Sequence, residues 1–576
     1  MRFSTPKSIW NDRKFCIKGR YDCNNCRKAK KGIGAMFSFF KGKKEMKNSK
    51  NQQGNSLTES TDKSSNNIDT SLFVNVEIIK KRTGNSSDIV IRPVKLGKFP
   101  KVKTKIVYVK GLVDNQTVND FLIEAMIDNP ASQEQNSQQE VIDMIAEDVV
   151  AVGGIKKSMD WDELFTELMS GNTIIFMEGS NAALSVSTQG GERRSIQEST
   201  TNVSIRGSKE AFNESIETNI ALVRRIINSP DLWIESMKIG KMTKTDVSIM
   251  YINGIAKNEI IEEVRKRLKR IEIDGVLESG FIEQLIEDQT NTTFPTIHHT
   301  ERPDGVAGNL LEGRIAIFVN GTPFVLMVPA LFIDFFQSVE DYYERFDISS
   351  AIRLLRTIIF FISLVGPAVY IAATTFHQEM IPTKLAVIIA AQRESVPFPA
   401  FFEALIMEIT FEILREAGIR MPKAIGSTIS IVGALVIGQA AIQAGIVSPV
   451  MVIVVSMTAI ASFATPSYAV AISARLVRFI FMVSAATFGF YGMILAFIIL
   501  VVHLSSLRSF GVPYMTPLAP FIREEAGDTF FRRQLWDYKK RPKLISGRNK
   551  VGQGENQKPN PPGPRTMKNS DYDKGD

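Results

Sequence analysis

Apolar and polar positions divide this chain near residue 340, and the two sides follow different periods. Between residues 72 and 340, short stretches alternate apolar and polar residues and then switch to helical spacing. "TKIVYVKGLVDNQTVNDFLIEAMI" predicts a strand from Lys105 to Val109, a turn at Gly111 and a helix from about Asn115. "VSIMYINGIAKNEIIEEVRKRLKRI" predicts the same order: strand Val247 to Ile252, turn Gly254, helix from about Asn258. Tyr108 and Tyr251, Gly111 and Gly254, Asn115 and Asn258 fall in register, each Asn being a candidate helix cap. A two-lobed α/β domain with one unit per lobe accounts for this, and chance likeness of two such units is the alternative. "GRIAIFVNGTPFVLMVPALF" is apolar enough to pass for a membrane span, yet Asn320-Gly321 sits between two β-branched runs. That pattern predicts a buried hairpin closing the domain. "DFFQSVEDYYERFD" then reads as an aromatic, acidic helix at a membrane surface.

Beyond it, Ile, Val, Leu, Phe, Ala and Gly dominate from Ile352 to Leu504. About 20 apolar residues cross a bilayer, and helix breakers divide this half into spans of about 354–374, 424–444, 449–472 and 476–504. The expected architecture is an α/β two-lobed soluble N-terminal domain (72–340) followed by an α-helical polytopic membrane domain (341–525). A basic, disordered extension (1–71) and a basic, disordered tail (526–576) flank them. A cytoplasmic N-terminus and the basic residues after Leu504 place both ends on one side, which requires an even number of crossings. Four spans with a broken or re-entrant segment at 384–414 satisfy this, but leave Arg420 and Lys423 on the opposite side.

That segment, "RESVPFPAFFEALIMEITFEILREAGIRMP", carries acids at a density that lipid does not tolerate. Pro397 and Pro399 break the helix, and the helix that follows has Glu408, Glu412 and Arg415 on one face. Three readings stand for Glu403, Glu408 and Glu412. They are interfacial acids pointing at water, a ring of carboxylates at a pore mouth, or partners for Arg415 and Arg420 across a subunit boundary. The next stretch, "AIGSTISIVGALVIGQAAIQA", is uncharged and repeats Thr428, Val432, Leu435, Gln439 and Gln443 at helical spacing. It reads either as a pore wall or as a helix packed through its small residues. As a wall, Val432 and Leu435 make a hydrophobic constriction that gates by dewetting.

Charge and rare residues change little. The net charge is +8, but the first fifty residues alone hold fifteen Lys and Arg against three acids. This leader suits an anionic membrane surface better than nucleic acid. Cys16, Cys23 and Cys26 include a "CNNC" pair without a nearby fourth ligand, so no metal, cofactor or disulfide framework is expected. No secretory signal is expected either. With four His, no Gly-rich phosphate loop and no nucleophile elbow, an enzyme is not expected. "STQGGERRS" reads as a flexible loop or an anion-holding one.

"RESVPFPAFFEALIMEITFEILREAG", "IGSTISIVGALVIGQAAIQAGIVSPVMVIVVSMTAIASF", "GNTIIF", "RSIQEST", "RGSKEAFNESIETNIALVRRIINSPDL" and "TDVSIMYINGIA" together resemble the A subunit of the GerA family of spore germination receptors. The likeness covers roughly residues 75 to 525. Ser199 and Ser208 stand where that family usually has Pro, which loosens both loops. The resemblance implies a multi-pass protein of the spore inner membrane, its soluble domain on the core side. It also implies partnership with a transporter-like B subunit and a lipoprotein C subunit. Such A subunits sense nutrients with their partners, and are thought to oligomerise into a ring that conducts monovalent cations and triggers germination. A solute transporter component and a membrane scaffold are the alternatives.

Overall fold

The computed structural model describes residues 66–95, 103–119, 154–191, 205–421 and 436–561. The three cysteines, Ser199, Thr428, Val432 and Leu435 lie outside them. Lobe 1 consists of α1 (Leu72–Arg82), β1 (Ile89–Lys95), β2 (Lys103–Val109), β3 (Ile155–Ser158), α2 (Trp161–Met169), β4 (Thr173–Met177) and β5 (Ala183–Val186). Lobe 2 consists of α3 (Ile216–Ile226), β6 (Leu232–Ile239), β7 (Thr245–Ile252), α4 (Asn258–Lys269), α5 (Ser279–Ile286), β8 (His298–Thr300), α6 (Pro303–Leu311), β9 (Ile315–Val319) and β10 (Val325–Val328). The sheets run β1-β2-β4-β5-β3 and β6-β7-β9-β10-β8, which is one topology used twice. All neighbouring strands in both are antiparallel, so the lobes are α+β rather than parallel α/β. Short strand-to-strand links such as 240–244 permit this pairing and exclude the parallel one.

The repeat reaches single side chains. Asn75 in α1 accepts from the Asp69 N–H at 3.0 Å and donates to its carbonyl at 2.6 Å. Asn219 in α3 does the same with Asn213, at 2.8 and 2.6 Å. Both are buried, and each fixes the approach to its helix by satisfying both backbone groups of one residue. Gly111 and Gly254 turn the chain after β2 and β7 with φ of 83° and 79°, a region where a side chain is strained. Neither predicted asparagine cap forms. Asp114, one residue earlier, accepts from the N–H groups of Gln116 and Thr117, and Asn258 is already helical behind an uncapped Lys257. In α4, Ile260, Ile261, Val264 and Leu268 bury one stripe against the sheet. The β9–β10 hairpin turns at Gly321, φ 93°, and its strands are fully buried. The acidic aromatic stretch after it forms two short 3₁₀ turns, Phe332–Phe336 and Val339–Tyr342, in place of one helix. Asp334 and Asp341 each fold back on the backbone N–H that precedes their turn.

The helical region comprises α7 (Phe346–Thr375), α8 (Thr383–Arg393), α9 (Ala400–Arg420), a helical stretch at 436–443, α10 (Pro449–Phe463) and α11 (Tyr468–Ser506). Only α7 and α11 are both long and apolar enough to cross a membrane among the described residues. α11 is not straight. Ser473 donates to the Thr293 carbonyl while His503 meets the Thr292 hydroxyl, although about thirty residues of straight helix would separate them by roughly 45 Å. The reversal is at Gly489, φ 60°, beside Phe376 and His377 at the end of α7, where an added Cβ would lie 2.7 Å from the His377 ring. The expected single span 476–504 is therefore two antiparallel helices. The break expected near residue 473 falls instead at 464–467, where Pro466 disfavours helix at Thr465.

Side-chain contacts fix the direction of each helix. Glu403, at the start of α9, meets Ser448 at the start of α10, and Tyr370 near the end of α7 lies 3.5 Å from the same serine. Arg415, late in α9, meets Ser462 at the end of α10. Thus α7 leads away from the lobes, α9 returns, 436–443 precedes the outer start of α10, α10 returns, and the two halves of α11 go out and back. Arg420 consequently lies at the lobe end.

Between residues 508 and 552 the chain is not the loose tail its composition predicts. A small hairpin, Arg508–Ser509 with Val512–Pro513, leads through Tyr514, whose hydroxyl donates to the Pro295 carbonyl at 2.8 Å. Residues 528–538 pack against the second 3₁₀ turn and α7, residues 541–549 pack against lobe 2, and Phe510, Val512 and Ile545 join the lobe 2 core.

Candidate functional site

Two charged clusters stand out because they are buried. The first is a column along α9. Glu403 accepts from the Ser448 N–H at 3.0 Å, with Arg393 Nε 3.3 Å from its other oxygen, an ion pair that is off the line of a hydrogen bond. Glu408 pairs with Arg478 of α11 at 2.6 Å, and Arg478 also donates to the Ser363 carbonyl and hydroxyl of α7 at 2.7 and 3.0 Å. Glu412 pairs with Arg415 at 2.9 Å and with Arg475 at 3.0 Å. Arg415 lies over the Phe463 ring, and Arg475 over that of Tyr468.

Helix α9 is inside out relative to a helix in water. Glu403 and Glu408 are 0% and 2% exposed, while Phe402, Ile406, Ile409 and Ile413 face outward. The single chain therefore gives these three acids internal arginine partners, where the pattern suggested water, a pore mouth or another subunit. The physical reason is cost. An unpaired carboxylate in an apolar interior is expensive, and removing one member of such a pair costs about 3–5 kcal/mol. Sequence spacing placed Glu408, Glu412 and Arg415 on one face, but Arg475 and Arg478 come from a helix that local pattern cannot bring alongside. Their spacing on one turn of an apolar helix was the available signal. Of the other predicted residues, Gln439 and Gln443 are exposed on the outside of the single chain.

The second cluster joins α7 to the lobes. Arg353 is fully buried. It pairs with Asp341 at 3.2 Å and Asp528 at 3.0 Å, and its guanidinium lies over the Tyr342 ring. Arg356 holds the Phe336 carbonyl at 2.6 Å and Asp341 at 3.1 Å. Tyr342 donates to Asp528 at 2.9 Å, and burial pushes its phenol well above the ordinary tyrosine range. Arg532 donates to the carbonyls of Tyr342 and Glu344. Nearby, Arg314 and Asp334 form a bidentate pair that ties the start of β9 to the first 3₁₀ turn. Among the described residues no group of three or more His, Cys, Asp or Glu side chains is placed to hold a metal ion. Both clusters are suited to holding helices in fixed relation, or to releasing them together.

Comparison with known proteins adds what geometry cannot. Residues 77–544 match the model of the Bacillus/Clostridium GerA spore germination protein family. The chain is 58% identical to spore germination protein KA of Bacillus subtilis (strain 168) over 509 residues, which span 88% of this chain and 93% of that protein. It is 38% identical to spore germination protein GerLA of Bacillus cereus over 479 residues, 83% of this chain and 96% of that one. Among solved structures, the N-terminal domain of the A subunit of the Bacillus megaterium spore germinant receptor GerK3 is 52% identical, with a TM-score of 0.39. It covers 46% of this chain and 97% of its own. The family match spans most of the chain, lobes and helical region alike, and this chain belongs to the GerA spore germination protein family.

Proposed function

We propose that this chain is the A-type membrane subunit of a receptor through which a bacterial endospore senses nutrients, and that copies of it assemble into a cation-conducting channel. The inverted polarity of α9, with paired charges inside and large apolar side chains outside, is the observation that carries the membrane reading. Such a face suits lipid or another apolar partner and is costly against water. On this reading α7 and both halves of α11 cross the bilayer, and α9, the segment ending at 443 and α10, which lack the apolarity or the length to cross alone, cross packed against them. That is six crossings, an even number, with the lobes, Arg420 and residues 508–561 on the spore-core side. The outward exposure of Gln439 and Gln443 supports a pore formed between copies rather than within one. Thr428, Val432 and Leu435 then continue the same wall, with Leu435 as the apolar ring that excludes water. A transporter-like B subunit and a lipoprotein C subunit complete the receptor, and this chain carries no catalytic site.

Leu435→Ala tests this. Removing three carbons from each copy favours the wetted state, and a shift of about 1.4 kcal/mol raises the open-to-closed ratio tenfold. Spores carrying Leu435→Ala, or Val432→Ala, are expected to leak potassium and germinate without nutrient, and Leu435→Ser more strongly. Wild-type tightness in all three at normal receptor abundance removes this segment from the pore.

A further inference from the structure

The duplicated lobes differ in what covers one turn. In lobe 1 the turn after β2 is covered by the lobe's own chain, three residues beyond β5. Val113 bridges to Gln189, and Gly190 donates its N–H to the Leu112 carbonyl at 3.0 Å. In lobe 2 the equivalent chain beyond β10 leaves for the 3₁₀ turns, and the place is taken by residues from the far end of the sequence. Ala256, the counterpart of Val113, bridges to Ser546, and Gly547 donates to the carbonyl of Ile255, the counterpart of Leu112, at 2.6 Å. Asn549 adds a bond from its N–H to the Gly254 carbonyl at 3.0 Å. Ile545 is 1% exposed, and a Cβ on Gly547 would lie 2.7 Å from the Ala256 carbonyl oxygen. The C-terminal segment thus completes lobe 2 at the position where lobe 1 completes itself.

The same segment is anchored at its other end on α7. Asp528 supplies one of the two carboxylates of buried Arg353, Arg532 holds the Tyr342 and Glu344 carbonyls, and the Tyr538 ring packs on Tyr342 at 6.2 Å. Between the anchors there is almost no slack. Tyr538 belongs to the helix anchor, while Lys540 already bridges to Val551 and Arg541 holds the Leu311 carbonyl of lobe 2 at 2.8 Å. A segment fixed at both ends and short between them transmits displacement.

We infer that residues 526–552 form a tie that carries movement of lobe 2 to α7, in parallel with the direct connection through residues 331–345. This rests on the receptor reading above. The alternative is that the segment only completes the lobe 2 fold. Glu524 pairs with Lys540 and Lys543, and Glu525 accepts from the Lys543 N–H. To separate the two readings, six Gly-Ser residues inserted between the exposed Lys539 and Lys540 are therefore combined with Glu524→Ala and Glu525→Ala. The anchors at Asp528, Arg532 and Gly547 then keep their partners while the tie goes slack. Docking is read by oxidising an Ala256→Cys/Ser546→Cys pair in isolated membranes, in a chain whose Cys16, Cys23 and Cys26 are replaced by Ser. Response is read as potassium release after adding a mixture of the common amino acids, glucose, fructose and inosine. The expected result is undiminished cross-linking with release at least tenfold slower, at normal abundance. Cross-linking together with wild-type release overturns the tie. Should the insertion lower abundance, Gly547→Val decides, since it pushes the segment off lobe 2 at a position where φ is ordinary. Slow release is expected, and wild-type release overturns the tie. All release measurements use a strain lacking its other members of this family, and if the wild-type chain supplied alone restores no potassium release with this mixture, the receptor reading fails instead.

Discussion

Lobe 1 and lobe 2 carry the same strand order, the same buried asparagine before the first strand pair and the same left-handed glycine after it. They differ in company. Lobe 1 covers its glycine turn with its own loop, whereas lobe 2 leaves that place to residues 545–549 and sends Phe294 into the core of the helical region. Local sequence is enough to repeat a fold. It is the chain's later path that lets one copy close its own glycine turn while the other has it closed by distant residues.

The largest expected effect comes from cutting the bond between the copies. Arg224 of α3 is fully buried and donates to both oxygens of Asp88, which stands just before β1, at 2.9 to 3.2 Å. Its remaining N–H groups meet Ser86 and the Ser229 carbonyl. Arg224→Met leaves a buried carboxylate unpaired and should cost about 3–5 kcal/mol, whereas adding Asp88→Leu should recover most of it. Hydrogen exchange followed by mass spectrometry on the full chain reads each lobe separately. The prediction is lost protection in α1 and α3 together. Loss in α3 alone would mean that the lobes open independently.

How far the sequence led depends on the range of the forces involved. Period-two runs and the Gly111 and Gly254 turns were legible, because neighbouring residues determine strand, turn and helix. The Gly321 hairpin was legible for the same reason. The caps were missed by one residue in each lobe, since Asp114 competes better than Asn115 for the free N–H groups and nothing local marks Lys257 as the start of α4. Gly489 was hidden within a continuous apolar run, where a single positive φ reverses the chain without any polar break. The arginine partners of Glu408 and Glu412, and the packing of Ile545 into lobe 2, join residues far apart in sequence. Polar composition alone made the segment after residue 525 resemble a tail.

The turn glycines sharpen the comparison at a smaller scale. Gly254 has open space where a Cβ would stand, so Gly254→Ala meets only the backbone penalty of a left-handed residue, roughly 1 kcal/mol. At Gly111 the added Cβ would lie 2.9 Å from the Ala221 Cβ and 3.4 Å from the Glu217 carbonyl oxygen. Both belong to α3, so Gly111→Ala adds a clash across the lobe boundary and should cost roughly 1–3 kcal/mol more. Exchange rates in the 216–226 peptide should rise far more for Gly111→Ala than for Gly254→Ala. Equal rises would show that the boundary relaxes freely.

The smallest effect is one that lobe 1 cannot share, because among the described residues it has no histidine. In lobe 2, burial raises the Glu283 carboxyl to about 7, reinforced by Glu287 and Glu278, and burial lowers the His298 imidazole to about 4, helped by His299. The signs oppose. Glu283 binds its proton more tightly in the fold than in the unfolded chain, so as pH falls from about 7 toward 4.5 it adds stability. His298 stays neutral in the fold where the unfolded chain takes up a proton, so stability is lost as pH falls from about 6.5 toward 4. Over the shared window the two oppose each other, with Glu287 and Glu312, whose carboxyls burial also raises, on the Glu283 side and His299, which burial also lowers, on the His298 side. Removing either group tips the balance. Compared with wild type, Glu283→Gln should lose more stability on acidification, because one group that binds its proton more tightly in the fold is gone. His298→Asn should shift the slope the other way, toward greater stability at pH 5 than wild type shows. Protection of the α5 and β8 peptides at pH 5 and 7, compared after correction for intrinsic exchange, measures both slopes. Parallel slopes in the two variants would mean that neither group is perturbed as its burial requires.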